Sequence, residues 1–566
     1  MEKRRKAILL SAIVNIFMIA SLTCCTPLKD PEEIPPKLQT AAMTAEIPVE
    51  TANADQVSLN TPAVTENSAD KNLWWAPETI LQTDLEALAA VNGVSFVESK
   101  GEAQWWLDVF SEGAAGSTLI FQKLFVLSAP FNRLDSEISQ LDLENILVNA
   151  GAEPESLIWV KSKDLPYIRQ IYKNLAFQHL IISESLPEEC QQNQCLRINL
   201  FEESEPFWKI LSIDGNNPLH DDFDMVTYPL KYQLAISKNP ELGGSDTGTG
   251  FSLYTNYQKD LVTSLILTGT TALVRGTAEK IEENGLSFPS KNLAHFLASA
   301  DITHISNEVP FYSACPAAAP LRKEMRFCSD PSYIQILKDV GADVIELTGN
   351  HLLDWGPSAF LETLSLYEDN GFKTYGGGKD RLDAAKPLYL SVKSNDFVFL
   401  GCNVAGPEND WATDSRPGAL ECNLNSLLEE VRALKGQGYL PIVTLQHYET
   451  EDFKPLKQLR DDFSALAQAG AVIVSGSQAH FPQGFDFVQG SFIHYGLGNL
   501  FFDQMDNWLR KSTVDVHYFY AGQYLNTEVI PLMNEDYGQP RFMTEEEAVD
   551  FMSKMYENSF YFLMKP

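Results

Sequence analysis

Cations are scarce in this chain: 42 Lys and Arg stand against 76 Asp and Glu, for a formal net charge of −34 over 566 residues. Nucleic-acid binding needs clustered cations that displace counterions from phosphates, so that class is excluded. Broad adhesion to anionic lipid is disfavoured for the same reason. A polyanionic substrate stays open, because a bound metal or a few local cations suffice to hold one. Cysteine is also sparse, eight residues in all. None stands in Cys-x-x-Cys spacing beside histidine, which argues against zinc. What is present is the composition of ordinary globular protein, 44% hydrophobic and 21% charged, with length for about two to four domains.

The first 25 residues read as an address. Lys3, Arg4, Arg5 and Lys6 precede an apolar run from Ala7 to Thr23, and Cys24 and Cys25 follow. This is the pattern of a signal peptide, and it resembles a bacterial lipoprotein signal in which a cysteine carries the lipid. Leu22 lies three before Cys25, while choosing Cys24 puts Ser21 at that position, so the lipidated residue is one of the two. An uncleaved membrane anchor is the alternative. Either reading places the folded part outside the cytoplasm, on the outer face of a bacterial cell membrane. Residues 26–73 are rich in Pro, Thr, Ala and Glu without apolar periodicity, and are expected to be a disordered tether.

Six cysteines remain, in three close pairs. In an oxidising compartment they are expected to bond locally: Cys190–Cys195, Cys315–Cys328 and Cys402–Cys422. Buried free thiols are the alternative.

Residues 74–250 alternate strand-like runs (Thr118–Phe121, Lys123–Leu127, Leu157–Lys161, Leu180–Ser183, Leu196–Leu200) with helical stretches (Asp142–Ala150, Pro166–Asn174), which is α/β patterning. Two runs here, "FVLSAPFNRLDSEISQLDLENIL" and "WKILSIDGNNPLHDDFDMVTYPL", resemble the C-terminal part of a periplasmic solute-binding domain. Trp74, Trp75, Trp105 and Trp106 are either core or a stacking surface for a sugar or peptide. The Gly-rich acidic stretch 239–251 reads as a join.

Residues 258–560 show strands at Ser264–Leu267, Val344–Thr348, Phe397–Cys402, Pro441–Gln446, Ala471–Ser475 and Phe492–Tyr495. Helices are expected at Lys291–Ala300, Pro331–Gly341, Pro357–Asn370, Leu424–Gly436 and Lys454–Gly470, with Gly371, Gly436 and Gly470 as C-caps. Polar residues cluster just past several strands: Asn350 and His351, His447 and Glu449, His480, and Asn499. Groups that converge from strand ends onto one edge of a sheet are how α/β proteins build sites.

The blocks "ADITHISNEVPF", "VIELTGNHLLDWG", "IVTLQHYETE", "VSGSQAHFPQGF" and "IHYGLGNLFFD" resemble, in this order, the CapA family of capsule and poly-γ-glutamate synthesis proteins. The resemblance implies a calcineurin-like metallophosphoesterase fold, an αββα sandwich, here preceded by a smaller α/β solute-binding-like domain. It implies metal ligands at Asn350, His447, His480 and Glu308, and a proton-transfer role for His351 oriented by Asp354. Two positions depart from the pattern. Thr270 stands where the family has an Asp, and Gln478 where it has a His. The ligand set therefore supports at most one divalent ion. Arg275 is read either as a cation of the cleft or as one arm of a surface ion pair. The expected function is capsule or poly-γ-glutamate-type polymer synthesis or export, with an anionic polymer or envelope component as partner and no nucleic acid. Either a metal-dependent hydrolase or a non-catalytic polymer-binding lipoprotein satisfies this pattern.

Overall fold

The computed structural model describes residues 72–110, 116–148, 157–177, 180–190, 195–242, 250–319 and 325–559. The signal-type segment with Cys24 and Cys25, the tether up to residue 71 and residues 243–249 of the join lie outside them. Among the described residues, no helix is long and apolar enough to cross a membrane.

The first region is built on one mixed sheet. Its strands run in the order Ser95–Phe96, Leu73–Trp75, Trp105–Val109, Lys231–Lys238, Ser117–Pro130, Cys195–Leu200, Leu157–Val160, Leu180–Ile182. The spine, Ser117–Pro130, is a single strand where the sequence reads as two. Gln122 interrupts the apolar run, but the Gln233 amide crosses the pair and donates to its Oε1 at 2.6 Å, so pairing continues through it. A register slip between Leu234 and Ala235 bends the partner strand. Trp74 is fully buried, with Phe96 and Phe251 edge-on against it. Trp75 and Trp106 both pack on the Lys100 ammonium, at 4.7 and 4.1 Å. Trp105 meets Phe251.

The second region holds two sheets. One runs Lys373–Tyr375, Val344–Glu346, Ile302–Asn307, Val262–Thr271, Lys511–Tyr520, Gln523–Glu535, Gln539–Phe542. The other runs Leu388–Val392, Asn395–Asn403, Leu440–Gln446, Ile473–Ser475, Ser491–Leu497, Pro482–Val488. Alternation along each strand sorts the side chains into layers. Leu265, Leu267 and Val344 of the first sheet meet Phe397, Ile442 and Ile473 of the second in one buried cluster. On the far face of the second sheet, Val443, Leu445 and Val474 pack on Leu427, Val431 and Phe463 of the helices Leu424–Gly436 and Lys457–Ala469. On the far face of the first, Ile305 and Ile345 pack on Leu337, Phe360 and Leu364 from helices Ile334–Asp339 and Pro357–Asp369. The result is an αββα sandwich preceded by a smaller α/β region.

Some elements differ from the sequence expectation. The helix expected at Lys291–Ala300 is only Ala294–Leu297. Gly470 is a left-handed C-cap, whereas Gly436 ends its helix in helical conformation and Gly438 supplies the positive φ of 96°. The helices Arg275–Asn284 and Glu545–Glu557 and the long hairpin Lys511–Glu535 add to the expected elements.

The two regions pack against each other. Phe131 sits among Phe485, Phe492 and Phe551, Asn526 Nδ2 donates to the Trp208 carbonyl at 2.8 Å, and His220 pairs with Glu528 at 2.9 Å. Residues 70–566 form one compact unit. The three local cysteine pairs are bonded as disulfides.

Candidate functional site

Parallel strands of both sheets end on the same edge, and their following turns carry the polar residues singled out from sequence. Thr271 pairs with Asn307, and the Glu308 amide continues the ladder to the Thr271 carbonyl at 3.0 Å. The Thr348–His351 turn lies on top of this. A Cβ at position 349 would fall 2.8 Å from Glu308 Cα and 2.9 Å from its carbonyl oxygen, so only glycine lets Asn350 and His351 come this close to Glu308. Gly269 plays the same part for the Gly498–Asn499 turn, where a Cβ would meet the Gly498 carbonyl at 1.9 Å.

Three histidines were expected here, and the structure brings in two. His480 directs Nε2 to Glu308 at 3.5 Å and Nδ1 to Asn499 Oδ1 at 2.8 Å. His351 Nδ1 lies 2.8 Å from Asp354 Oδ2. His447 is turned away: Nε2 meets Asp462 at 3.0 Å and Nδ1 accepts from the Tyr448 amide. The cause is strand alternation. Val443 and Leu445 face the helix layer, and His447, two further on, follows them toward helix Lys457–Ala469. Gln446 faces the other way and donates to Glu449 Oε1 at 3.1 Å.

The charges are mutually dependent. Burial opposes protonation of His480, but Glu308 and Glu449 outweigh it and push its pKa up to about 10. Burial likewise opposes ionisation of Glu308, and His480, His351 and Arg275 together hold its carboxyl below the ordinary value. Glu449 is raised by burial and by the Glu308 charge. His351 is raised despite burial, by its bond to Asp354 and by Glu308. Arg275, with a positive φ of 46°, forks onto Asp503 at 3.1 and 2.5 Å and lies over Phe327 and Phe502. It is thus both paired and a cation of the cleft.

Glu449, Asp503 and Phe327 join the site without having been assigned a role from sequence. Asp503 closes the block "GNLFFD", which was the available signal. Nothing in the local pattern marks Phe327.

The two departures are visible in the geometry. Thr270 is fully buried, and its hydroxyl donates to the Ser477 carbonyl at 3.4 Å. Both polar atoms of the Gln478 amide are buried without a hydrogen-bond partner, as is Asn350 Oδ1, and Glu308 is buried with its ion-pair partner His480 Nε2 at 3.5 Å. A two-ion centre needs a bridging carboxylate and about three ligands per ion. Here the Asn350 and Gln478 side chains are neutral amides, and a neutral hydroxyl committed to the backbone stands in the bridging position. Among the described residues, no group of three His, Cys, Asp or Glu could hold a metal. The donor set does not fit the metal centre that the resemblance implies.

Comparison with known proteins agrees with the order of these blocks. Residues 264–504 match the family model for the bacterial capsule synthesis protein PGA_cap. The chain is 25% identical over 289 residues to the capsule biosynthesis protein CapA of Bacillus anthracis, covering 50% of this chain and 69% of that protein. Among solved structures, a phosphatase from Mycoplasma pneumoniae aligns over 49% of this chain and 95% of its own, at 12% identity and a TM-score of 0.33. An ABC-type phosphate transport receptor from Vibrio cholerae aligns over 31% of this chain and 90% of its own, at 8% identity and a TM-score of 0.24. Residues 264–504 of the chain are thus similar to the bacterial capsule synthesis protein PGA_cap family.

Proposed function

We propose that this chain is an exported, membrane-anchored protein of capsule or poly-γ-glutamate-type polymer synthesis, and that its cleft cleaves a bond in an anionic polymer by proton transfer. The observation that carries the reading is the meeting, on one strand-end edge, of an imidazole oriented by a carboxylate and a second, buried carboxylate. His351 is held through Nδ1 by Asp354, which leaves Nε2 as its free nitrogen. Glu308 is buried, yet His480, His351 and Arg275 hold its carboxyl below the ordinary value, with His480 Nε2 3.5 Å from Oε1.

In this reading Glu308 accepts a proton from water as the water oxygen bonds to the carbonyl carbon of an amide or to the phosphorus of a phosphoester. His351 Nε2–H donates its proton to the leaving nitrogen or oxygen as that bond breaks. His480 and Arg275 supply positive charge for the anionic oxygen. No metal ion enters these steps.

A second reading, binding without cleavage, is favoured by the loss of the carboxylate at Thr270 and the imidazole at Gln478. Poly-γ-glutamate and a phosphodiester surrogate separate the two readings. The hydrolytic reading expects the parent to shorten one of them and His351→Ala to stop doing so. Retention of the polymer in sedimentation with no change in its length, in parent and variant alike, supports binding alone. The export reading is tested by metabolic labelling with a lipid precursor, which should be lost only when both Cys24 and Cys25 are replaced.

A further inference from the structure

We propose that the Cys315–Cys328 disulfide is a positioning device for the His351–Asp354 pair, acting through Arg326 and Phe327. This rests on the reading of His351 as the proton donor. Asp354 Oδ2 takes two donors: Nδ1 of His351 at 2.8 Å and the backbone amide of Phe327 at 2.6 Å. The Phe327 ring packs on the imidazole, with centroids 4.7 Å apart. Arg326 Nε donates to the Asp354 carbonyl at 2.7 Å, and its guanidinium lies 4.0 Å above the Trp355 ring. Residues 326–327 therefore touch the imidazole, the carboxylate that orients it, the Asp354 carbonyl and the Trp355 ring.

This short segment has no regular structure of its own, and its backbone anchors follow it directly. On the C-terminal side, Ser329 bonds to Pro310, Tyr312 and Leu273 through its amide, carbonyl and hydroxyl. Immediately after Phe327 comes Cys328, tied covalently to Cys315, whose own amide bonds to the Tyr312 carbonyl at 2.9 Å. With the disulfide, Phe327 is followed at once by two fixed points, Cys328 and Ser329. Without it, the anchor next to the ring is gone, and Phe327 is held only by its own amide bond to Asp354 and by the bonds of Arg326 and Ser329 on either side. An imidazole with only Asp354 to hold it keeps its tautomer but loses the wall that fixes its ring plane. Small errors in the placement of a proton donor cost rate more than affinity.

The test uses the intact chain and the double variant Cys315→Ala/Cys328→Ala, with three readouts. Amide exchange at Phe327 should speed up by about tenfold or more, while amides in strands Asn395–Asn403 and Leu440–Gln446 keep their protection. The downfield Nδ1–H resonance of His351 should broaden or vanish. Turnover, where a substrate is cleaved, should show kcat lower by about tenfold with KM little changed. Phe327→Leu, with the disulfide intact, should broaden the same resonance, and it serves if the double variant fails to fold. An unchanged Phe327 amide and an unchanged His351 resonance in the double variant overturn the proposal, as does an unchanged resonance in Phe327→Leu. The exchange and resonance readouts need no substrate. Absence of any hydrolysis would therefore sink the catalytic reading and leave the positioning claim to be judged separately.

Discussion

At the scale of single residues, the account turns on four side chains: Glu308, His351, Asp354 and His480. If His351 is the proton donor, His351→Ala should lower turnover by about 10²–10⁴-fold, and Asp354→Asn should lower it while leaving the fold intact, since the amide still accepts from Phe327. Steady-state kinetics with a matched circular dichroism spectrum checks both. The histidines also predict a pH signature. His480 has a folded pKa of about 10 against about 6.5 unfolded. Its contribution to stability is therefore complete below about pH 6.5 and fades as pH rises toward 10. His351 is raised as well and acts in the same direction, while Glu308 is lowered and loses its contribution as pH falls through its folded value. Urea denaturation of the parent and of His480→Gln should show the widest gap near pH 6 and a narrowing gap toward pH 10. A gap that widens with pH would contradict the ion cluster. The residue scale is also where sequence reading met its limit. The Gly-Asn-His turn and Glu308 are recognisable as letters in a block. Whether His447 faces the site depends on which parity of its strand faces the helix layer, and in the run Leu440–Leu445 the lone hydroxyl of Thr444 is a weak marker of that parity.

At the scale of elements, continuous apolar strands between flanking helices were legible, and the strands of the second sheet lie close to their expected positions. The hairpin Lys511–Glu535 was not, because polar residues such as Asp515, His517, Asn526 and Thr527 are buried in it beside the apolar ones. His494 Nδ1 meets Asp515 at 2.6 Å, and His517 Nδ1 meets Thr527 at 2.6 Å. These pairs satisfy each other across strands, so Asp515 and His517 are buried along with Val514, Val516 and Tyr518, and the letters alone read as a half-exposed strand. Helix Glu545–Glu557 did carry a signal, the capping box of Thr544 and Glu547. The disulfides follow from spacing and compartment together, so alkylation of the denatured, unreduced protein should label none of the six cysteines from Cys190 to Cys422. Several reactive thiols would refute the pairing and weaken the export argument with it. Closing a loop the size of 315–328 contributes about 3 kcal/mol, and reduction should lower the melting temperature accordingly.

For the whole molecule, the interface between the two regions carries a measurable expectation. Phe131 belongs to the first region by sequence, yet it is buried in an aromatic cluster of the second. Phe131→Ala should cost about 3–5 kcal/mol in urea denaturation. Mild proteolysis is expected at the Gly-rich sequence 243–249, and the two fragments should stay associated on gel filtration because of that cluster. Separate elution would show that the regions fold and stand independently.

The central claim is that the cleft keeps the family's turns while its residues no longer form a two-ion centre. Replacing Thr270 by Asp and Gln478 by His should raise metal retention if the cleft still has the family geometry. The most direct measurement is elemental analysis of the purified parent after loading with divalent ions and exhaustive desalting. The account predicts at most one ion per chain, weakly held. Two ions retained per chain would contradict it.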